Sequence, residues 1–519
     1  MCHNCLINRR EFQTFGTLGL AGALTLPALF AATALADDGK AAAPIEWNPE
    51  APLLNIGKPI RVQPILMYSE QPPRPKTSYK SWGIVHSAAE AAEEAKRIEH
   101  DIARVKVLAE FPIEFLPLAI VQTVEEANNV QQNDFDVVLL FPATGGGNVL
   151  RACFAQKPDR DTIIFARHLN GPMYYWYEAL SVRYLASQTD AEVAENSAKS
   201  HGPVTVYDVV IDELEEVVWR FRALYGLKNF IGKRVVALGG AMGKYDAKAP
   251  EVAKERYGFE IIPVDYKNYE QRLKEMMNDP AWQAKANAWT DRYLALPKTT
   301  LDTPRSFVVN SYYLYVYFHE LLRHFDADTF TINSCMGQAI PIADTTACLT
   351  LSVMNDEGYI AMCEADFVLV PPAVLTRQIT SKPVFMHNST FPHKGVVTCA
   401  HCTGPRRMDG VRYEPARILT HFESDFGAAP KVEIPIGQKV TFLNPEYANR
   451  RWLSFTGTVK ANPFYACCRS QQDVIIDGDW KKLLHEVRDS HWVMAYGSYV
   501  NELEYASKKI GMNCVRLDS

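Results

Sequence analysis

The chain has 519 residues, 47% hydrophobic and 22% charged, with 54 Lys and Arg against 60 Asp and Glu and a formal net charge of -6. That length exceeds one ordinary core and predicts several domains, while charges dispersed without acidic or basic blocks exclude nucleic acid and anionic membrane surfaces as main partners. Eleven cysteines scattered over a chain of this size do not make a disulfide scaffold.

Residues 1–36 read as a twin-arginine signal peptide. Arg9-Arg10-Glu11-Phe12 precede an uncharged run from Phe15 to Leu35 that closes on Ala34-Leu35-Ala36. The run is long enough to span a bilayer, but its small residues and Pro27 favour cleavage, so no stable membrane anchor is expected to remain. The expected location is periplasmic or secreted. Residues 37–58, rich in Ala and Pro, read as a linker.

From Ile60 short apolar runs alternate with helical periodicity. Strands are expected over Ile60 to Met67, Phe115 to Val121, Phe135 to Phe141 and Thr162 to Ala166, and helices over Ala88 to Ala109, Val124 to Val130 and Leu214 to Leu224. The pattern restarts at Arg234 to Leu238, which runs into Gly239-Gly240-Ala241-Met242-Gly243 and is followed by a strand from Phe259 to Val264. Helices Tyr269 to Leu296 and Phe307 to Phe325, strand Phe330 to Asn333, helix Thr345 to Asn355 and strand Tyr359 to Cys363 complete this unit. Beyond residue 383 short β-like runs with frequent Pro and Gly take over, broken by a helix from Asp479 to Val487. The expected fold class is α/β, with two doubly wound parallel-sheet domains (59–228 and 229–382) and a β-rich, barrel-like C-terminal domain (383–519).

The residues able to carry chemistry gather in the C-terminal half. Glu364 and Asp366 stand at the end of an apolar strand, where a carboxylate is costly to bury unless it meets a metal or a hydrogen-bond donor. Asp366 also suits the start of a helix as its cap. His387 and Asn388 end the run Val384-Phe385-Met386, His401 lies within Cys399-Ala400-His401-Cys402, and His491 opens another apolar run. The cysteines around His401 lack a second ligand pair at zinc spacing and read as small packing residues. The loops Gly145-Gly146-Gly147 and Gly239 to Gly243 could cradle an anion, but they lack the P-loop lysine and dinucleotide spacing.

Taken together, these residues resemble the metal site of the L-fucose isomerase and L-arabinose isomerase superfamily, by motif over residues 230 to 519 and by architecture alone over 60 to 228. The resemblance places Glu364 as a metal ligand within Glu364-Ala365-Asp366, and His401 and His491 as histidine ligands. It implies a divalent ion, Mn2+ first and Zn2+ or Fe2+ as alternatives, a small-molecule carbohydrate substrate and a homo-oligomer. The family's second acidic ligand falls on Phe385-Met386-His387-Asn388, so His387 becomes a candidate ligand and, with Glu364, a candidate catalytic residue. Asp366 and His393 are candidate supports, and Arg406 and Arg407 candidate substrate-binding residues. The expected function is a sugar isomerase interconverting an aldose and a ketose through an enediolate. A non-catalytic carbohydrate-binding protein, or another metal-assisted sugar epimerase or lyase, is the alternative.

Overall fold

A computed structural model describes residues 44–77, 85–168, 185, 204–446 and 451–517. The expected signal segment 1–36 and the first part of the expected linker lie outside these residues. Among the described residues no helix is long and apolar enough to cross a membrane.

The first sheet contains β1 (Ile60–Met67), β2 (Ile113–Phe115), β3 (Ala119–Val121), β4 (Val137–Pro142), β5 (Asp161–Ala166) and β6 (Val209–Ile211). Its strands are parallel, in the order β2-β1-β4-β5-β6 with β3 also on β1. The single strand expected from Phe115 to Val121 is two short ones, because Pro117 has no N–H for the ladder. The strands β1, β4 and β5 are buried over nearly their whole length and rich in Ile, Val, Leu and Phe, as a parallel sheet covered by helices requires.

The second sheet is also parallel, in the order β11-β10-β7-β8, from β7 (Arg234–Leu238), β8 (Glu260–Val264), β10 (Thr329–Ile332) and β11 (Ile360–Met362). The helix expected over Tyr269 to Leu296 is two, Lys267–Asn278 and Pro280–Leu294. Asp279 caps the second through the Ala281 N–H, and Pro280 takes its first position. β9 (Thr299–Leu301) leaves this unit to pair with β14 (Ala416–His421), which pairs in turn with β15 (Phe426–Val432). That three-stranded sheet crosses the boundary expected at 382/383.

The C-terminal region closes on itself. β12 (Phe385–Ser389), β13 (Val396–His401), β16 (Lys439–Glu446), β17 (Arg451–Ala461), β18 (Ser470–Ile476) and β19 (His491–Tyr496) run antiparallel in the order β16-β19-β12-β13-β18-β17, and β17 returns to β16. This is a closed six-stranded barrel, and β20 (Asn513–Arg516) adds to β17 in parallel. Phe385, Phe442, Phe455, Trp492 and Met494 fill the interior. The alternate residues Met386, Leu443, Val493 and Ala495 pack outward into the core shared with the α/β sheets.

The parts are fastened by close helix contacts and buried charge. Helix Leu214–Phe230 packs on helix Val370–Thr380 so tightly that a Cβ on Gly226 would lie 2.3 Å from Ile379. Lys509 Nζ, in helix Val500–Lys509, reaches Asp208 at 2.8 Å and Asp161 at 3.2 Å, tying the C-terminal helix to the first sheet. The stretch 44–58 is no free linker: Trp47 is 1% exposed and meets the rings of Tyr293 and Tyr312.

Candidate active site

Loops after the two strands that flank β10 in the second sheet build the site. The glycine-rich turn after β7 lies beside Cys363-Glu364-Ala365-Asp366 after β11, and the two are joined as one more rung. Met242 N–H donates to the Ala365 carbonyl at 3.0 Å and Phe367 N–H to the Met242 carbonyl at 2.7 Å, with Met242 and Asp366 bridged in parallel. Glu364 and Ala365 both take left-handed backbone angles, φ 65° and 48°. Non-glycine residues rarely adopt these, at a cost of about 1–3 kcal/mol each, and such strain gathers at functional sites. Ser334, φ 56°, opens a π-helical turn (Cys335–Ala339) after β10. The C-terminal ends of β7, β10 and β11 thus carry the irregular backbone, the place where open parallel sheets bind ligands.

Asp366 organises this edge. Its Oδ1 accepts from the backbone N–H of Lys244 at 3.0 Å and of Val368 at 3.1 Å, so it fastens the two loops together rather than capping a helix, the next helix starting only at Val370 with Leu369 at its cap position. Its Oδ2 faces His491 Nδ1 at 2.7 Å, with both side chains fully enclosed. A carboxylate there holds a proton on Nδ1, so in the neutral ring it is Nε2 that keeps its lone pair toward the site.

That Nε2 points at Glu364. His491 Nε2 lies 3.4 Å from Glu364 Oε2, His401 Nε2 lies 3.7 Å from Oε1, and Lys244 Nζ lies 3.5 Å from Oε2 and 3.0 Å from His491 Nε2. His401 is oriented like its counterpart, its Nδ1 meeting Thr403 Oγ1 at 2.9 Å. Burial alone would raise the Glu364 pKa, but the positive charge of His491 in its doubly protonated form, then the His401 hydrogen bond and the Lys244 ammonium, outweigh it and hold the carboxyl well below the usual range. Glu364 is therefore ionised across the physiological range, with a third of its side chain open to solvent.

The structure brings Glu364, Asp366, His401 and His491 together and leaves four other candidates elsewhere. His387 pairs with Trp492, whereas its neighbour Asn388 pairs with His491. Strand alternation thus sends His387 into the barrel interior, its ring 5.6 Å from that of Phe442, and sets Asn388 on the face of His491. Burial pushes the His387 pKa down to about 3, so it is a neutral imidazole, bonded to Ser389 Oγ at 3.1 Å. Arg406 and Arg407 are buried structural residues. Both backbone N–H groups donate to Asp356 Oδ1, and their guanidiniums serve the carbonyls of Glu414, Pro297, Ala51 and Gly410. His393 is exposed in the β12–β13 hairpin, its Nδ1 3.2 Å from the Phe391 carbonyl oxygen.

Two site residues carry no signal in a single sequence. Lys244 ends the glycine-rich turn, and only the pairing of that turn with the Glu364 loop gives it a role. Asp489 lies two residues before His491, whose N–H donates to its Oδ1 at 2.8 Å, and burial raises its pKa to about 6. Asp366, Asp489 and His491 together form a buried trio with one ligand atom each within 4.8 Å of one another, a group that could hold a metal ion. In that trio, however, both oxygens of Asp366 and the Nδ1 of His491 are already engaged.

The groups converging on Glu364 form a second polar cluster beside that trio, with His491 shared between them and carboxylate–imidazole separations of 3.4 and 3.7 Å. Each imidazole is fixed through its other nitrogen, and the ammonium of Lys244 sits among them as a cation. No protein-family model matches the chain, and no curated protein matches it by sequence.

Proposed function

We propose that the protein is a metal-dependent enzyme of the aldose–ketose isomerase type, acting on a carbohydrate, with Mn2+ as the ion and Zn2+ or Fe2+ as alternatives. The observation behind this reading is the convergence of two oriented imidazoles and an ammonium on one ionised carboxylate at the C-terminal edge of a parallel sheet. Glu364, His401 and His491 would hold the ion; a one-carboxylate, two-imidazole set suits borderline divalent metals. Bound there, the ion would polarise a substrate carbonyl and its neighbouring hydroxyl.

Glu364 is held too acidic to be an effective base, which suits a ligand role. Lys244 Nζ is placed to donate a proton, or a hydrogen bond, to a substrate oxygen that gains charge. Asp366 keeps the His491 proton on Nδ1, so the nitrogen facing the site stays a donor of electrons. His387 takes no part, being turned into the barrel.

A second reading, a carbohydrate-binding protein without catalysis, is favoured by two observations. Asn388 stands on the His491 face where the resemblance calls for a carboxylate, and Lys244 itself supplies a cation to Glu364. One experiment separates them: incubation of the Mn2+-loaded protein with a panel of aldoses in D2O, followed by mass spectrometry of the recovered sugars. Deuterium at the carbon beside the carbonyl, abolished in Glu364→Gln, is expected. Sugar binding without exchange by any member would support the second reading.

A further inference from the structure

Three sulfurs meet where the barrel, the helix Cys348–Glu357 and β15 pack together. Cys348 and Cys402 are buried against Ala429, and Cys468 packs on them from the loop between β17 and β18. The Cys402 thiol is flanked by those of Cys348 and Cys468, so it is the middle member of a row. The β13–β18 ladder ends at the pair His401 and Ser470, so Cys402 and Cys468, one and two residues past it, leave the two strands at the same end.

The loop that presents Cys468 is held in place. Gln471 Nε2 donates to the carbonyls of Cys468 at 2.8 Å and Tyr465 at 2.9 Å, and Gln471 Oε1 accepts from the Tyr465 N–H at 2.7 Å. Cys468 is partly exposed while the other two are shut away, and all three are free thiols. Packing alone does not ask for sulfur at three touching positions, since a buried thiol behaves as a small apolar group. Two thiol contacts that share a middle member, with one end open to solvent, are what thiol–disulfide exchange requires.

We propose that Cys468, Cys402 and Cys348 form a thiol–disulfide exchange site that takes oxidising equivalents from a low-molecular-weight disulfide, RSSR, and stores them as a Cys402–Cys468 bond. Cys468 gives up its proton and attacks one sulfur of RSSR, forming the mixed disulfide Cys468–S–S–R and releasing one RS⁻, which is protonated to RSH. Cys402 then loses its proton and attacks the Cys468 sulfur, closing the internal disulfide and releasing the second thiol. Two protein thiols are oxidised and RSSR is reduced to two RSH. Cys348, in contact with Cys402 from the other side, can pass the bond inward by the same exchange. The bond forms on the residue after His401, beside the Glu364 site.

The test uses the full chain, reduced, then exposed to oxidised glutathione, with free thiols alkylated and peptides mapped without reduction. The expected product links the peptide holding Cys402 to that holding Cys468. Cys402→Ser should stop at a stable mixed disulfide of glutathione on Cys468. Cys468→Ser, a change in a partly exposed loop, should slow oxidation of Cys402 by at least about tenfold, because the accessible attacking thiol is gone. A Cys467–Cys468 link in the wild-type protein, Cys402 recovered fully alkylated, or Cys468 left unmodified in Cys402→Ser would each overturn the proposal.

Discussion

Asp366→Asn is the substitution that isolates the chemistry of the site from its fold. The amide oxygen can keep both backbone hydrogen bonds, from Lys244 and Val368, that shape the turn. Its NH2 group then faces His491 Nδ1, across what is a 2.7 Å contact with a carboxylate oxygen. A donor there forces the imidazole proton to Nε2, which turns the nitrogen facing Glu364 and Lys244 from acceptor to donor. Loss of such a supporting carboxylate typically weakens a metal by about 10–100-fold, or about 1.4–2.7 kcal/mol. Stability should change far less, since no cavity opens and the backbone bonds remain. Calorimetric titration with Mn2+, alongside 15N NMR of the histidine tautomers, reads both halves of the argument. A folded variant with wild-type affinity and an unprotonated His491 Nε2 would refute it.

Further outcomes follow from burial and backbone geometry. Burial raises the Glu502 carboxyl to about 7, against the opposing pull of its own backbone N–H and of Arg222. The folded state therefore binds more protons than the unfolded one between about pH 4.3 and pH 7, and stability falls as pH rises through that window. Glu502→Gln should leave stability near pH 4 unchanged and raise it at pH 8 by up to about 3 kcal/mol; an unaltered pH profile of chemical denaturation would contradict this. Trp47→Ala should cost about 3–5 kcal/mol, as for a core aromatic, whereas a free linker would show no loss on denaturation. Gly239→Ala would put a Cβ 2.8 Å from the Asn333 carbonyl oxygen at φ +82°, at the crevice edge. Thermal unfolding should report a loss of about 1–3 kcal/mol, and a neutral result would remove the strained turn from the account.

Much of the frame is legible in the sequence because it rests on local pattern. The strand Ile60 to Met67 and the helix Val124 to Val130 match in full, since apolar runs and a Thr-x-x-Glu capping box act within a few residues. The alignment of Glu364, His401 and His491 follows from each standing at a strand end. What local pattern lacks is parity and partnership. His387 and Asn388 differ by one position, and only the pairing of β12 with β19 decides which one faces His491. Arg406 and Arg407 look like surface cations until Asp356, fifty residues earlier, is placed beneath their backbone. Lys244 becomes part of the site only through the rung between the loops after β7 and β11, a contact 120 residues apart in the chain. β18 opens on Ser470-Gln471-Gln472-Asp473 and β20 is only four residues long, so neither shows a two-residue apolar period.

The central claim is that a divalent ion is held by Glu364, His401 and His491, with Asp366 in support. Bound manganese counted per chain, by elemental mass spectrometry after titration and dialysis, tests it across three folded variants. Glu364→Gln and His401→Ala should lose the ion while Asp489→Asn retains it. Retention in Glu364→Gln, with loss in Asp489→Asn, would place the ion in the buried Asp366, Asp489 and His491 group and contradict the account.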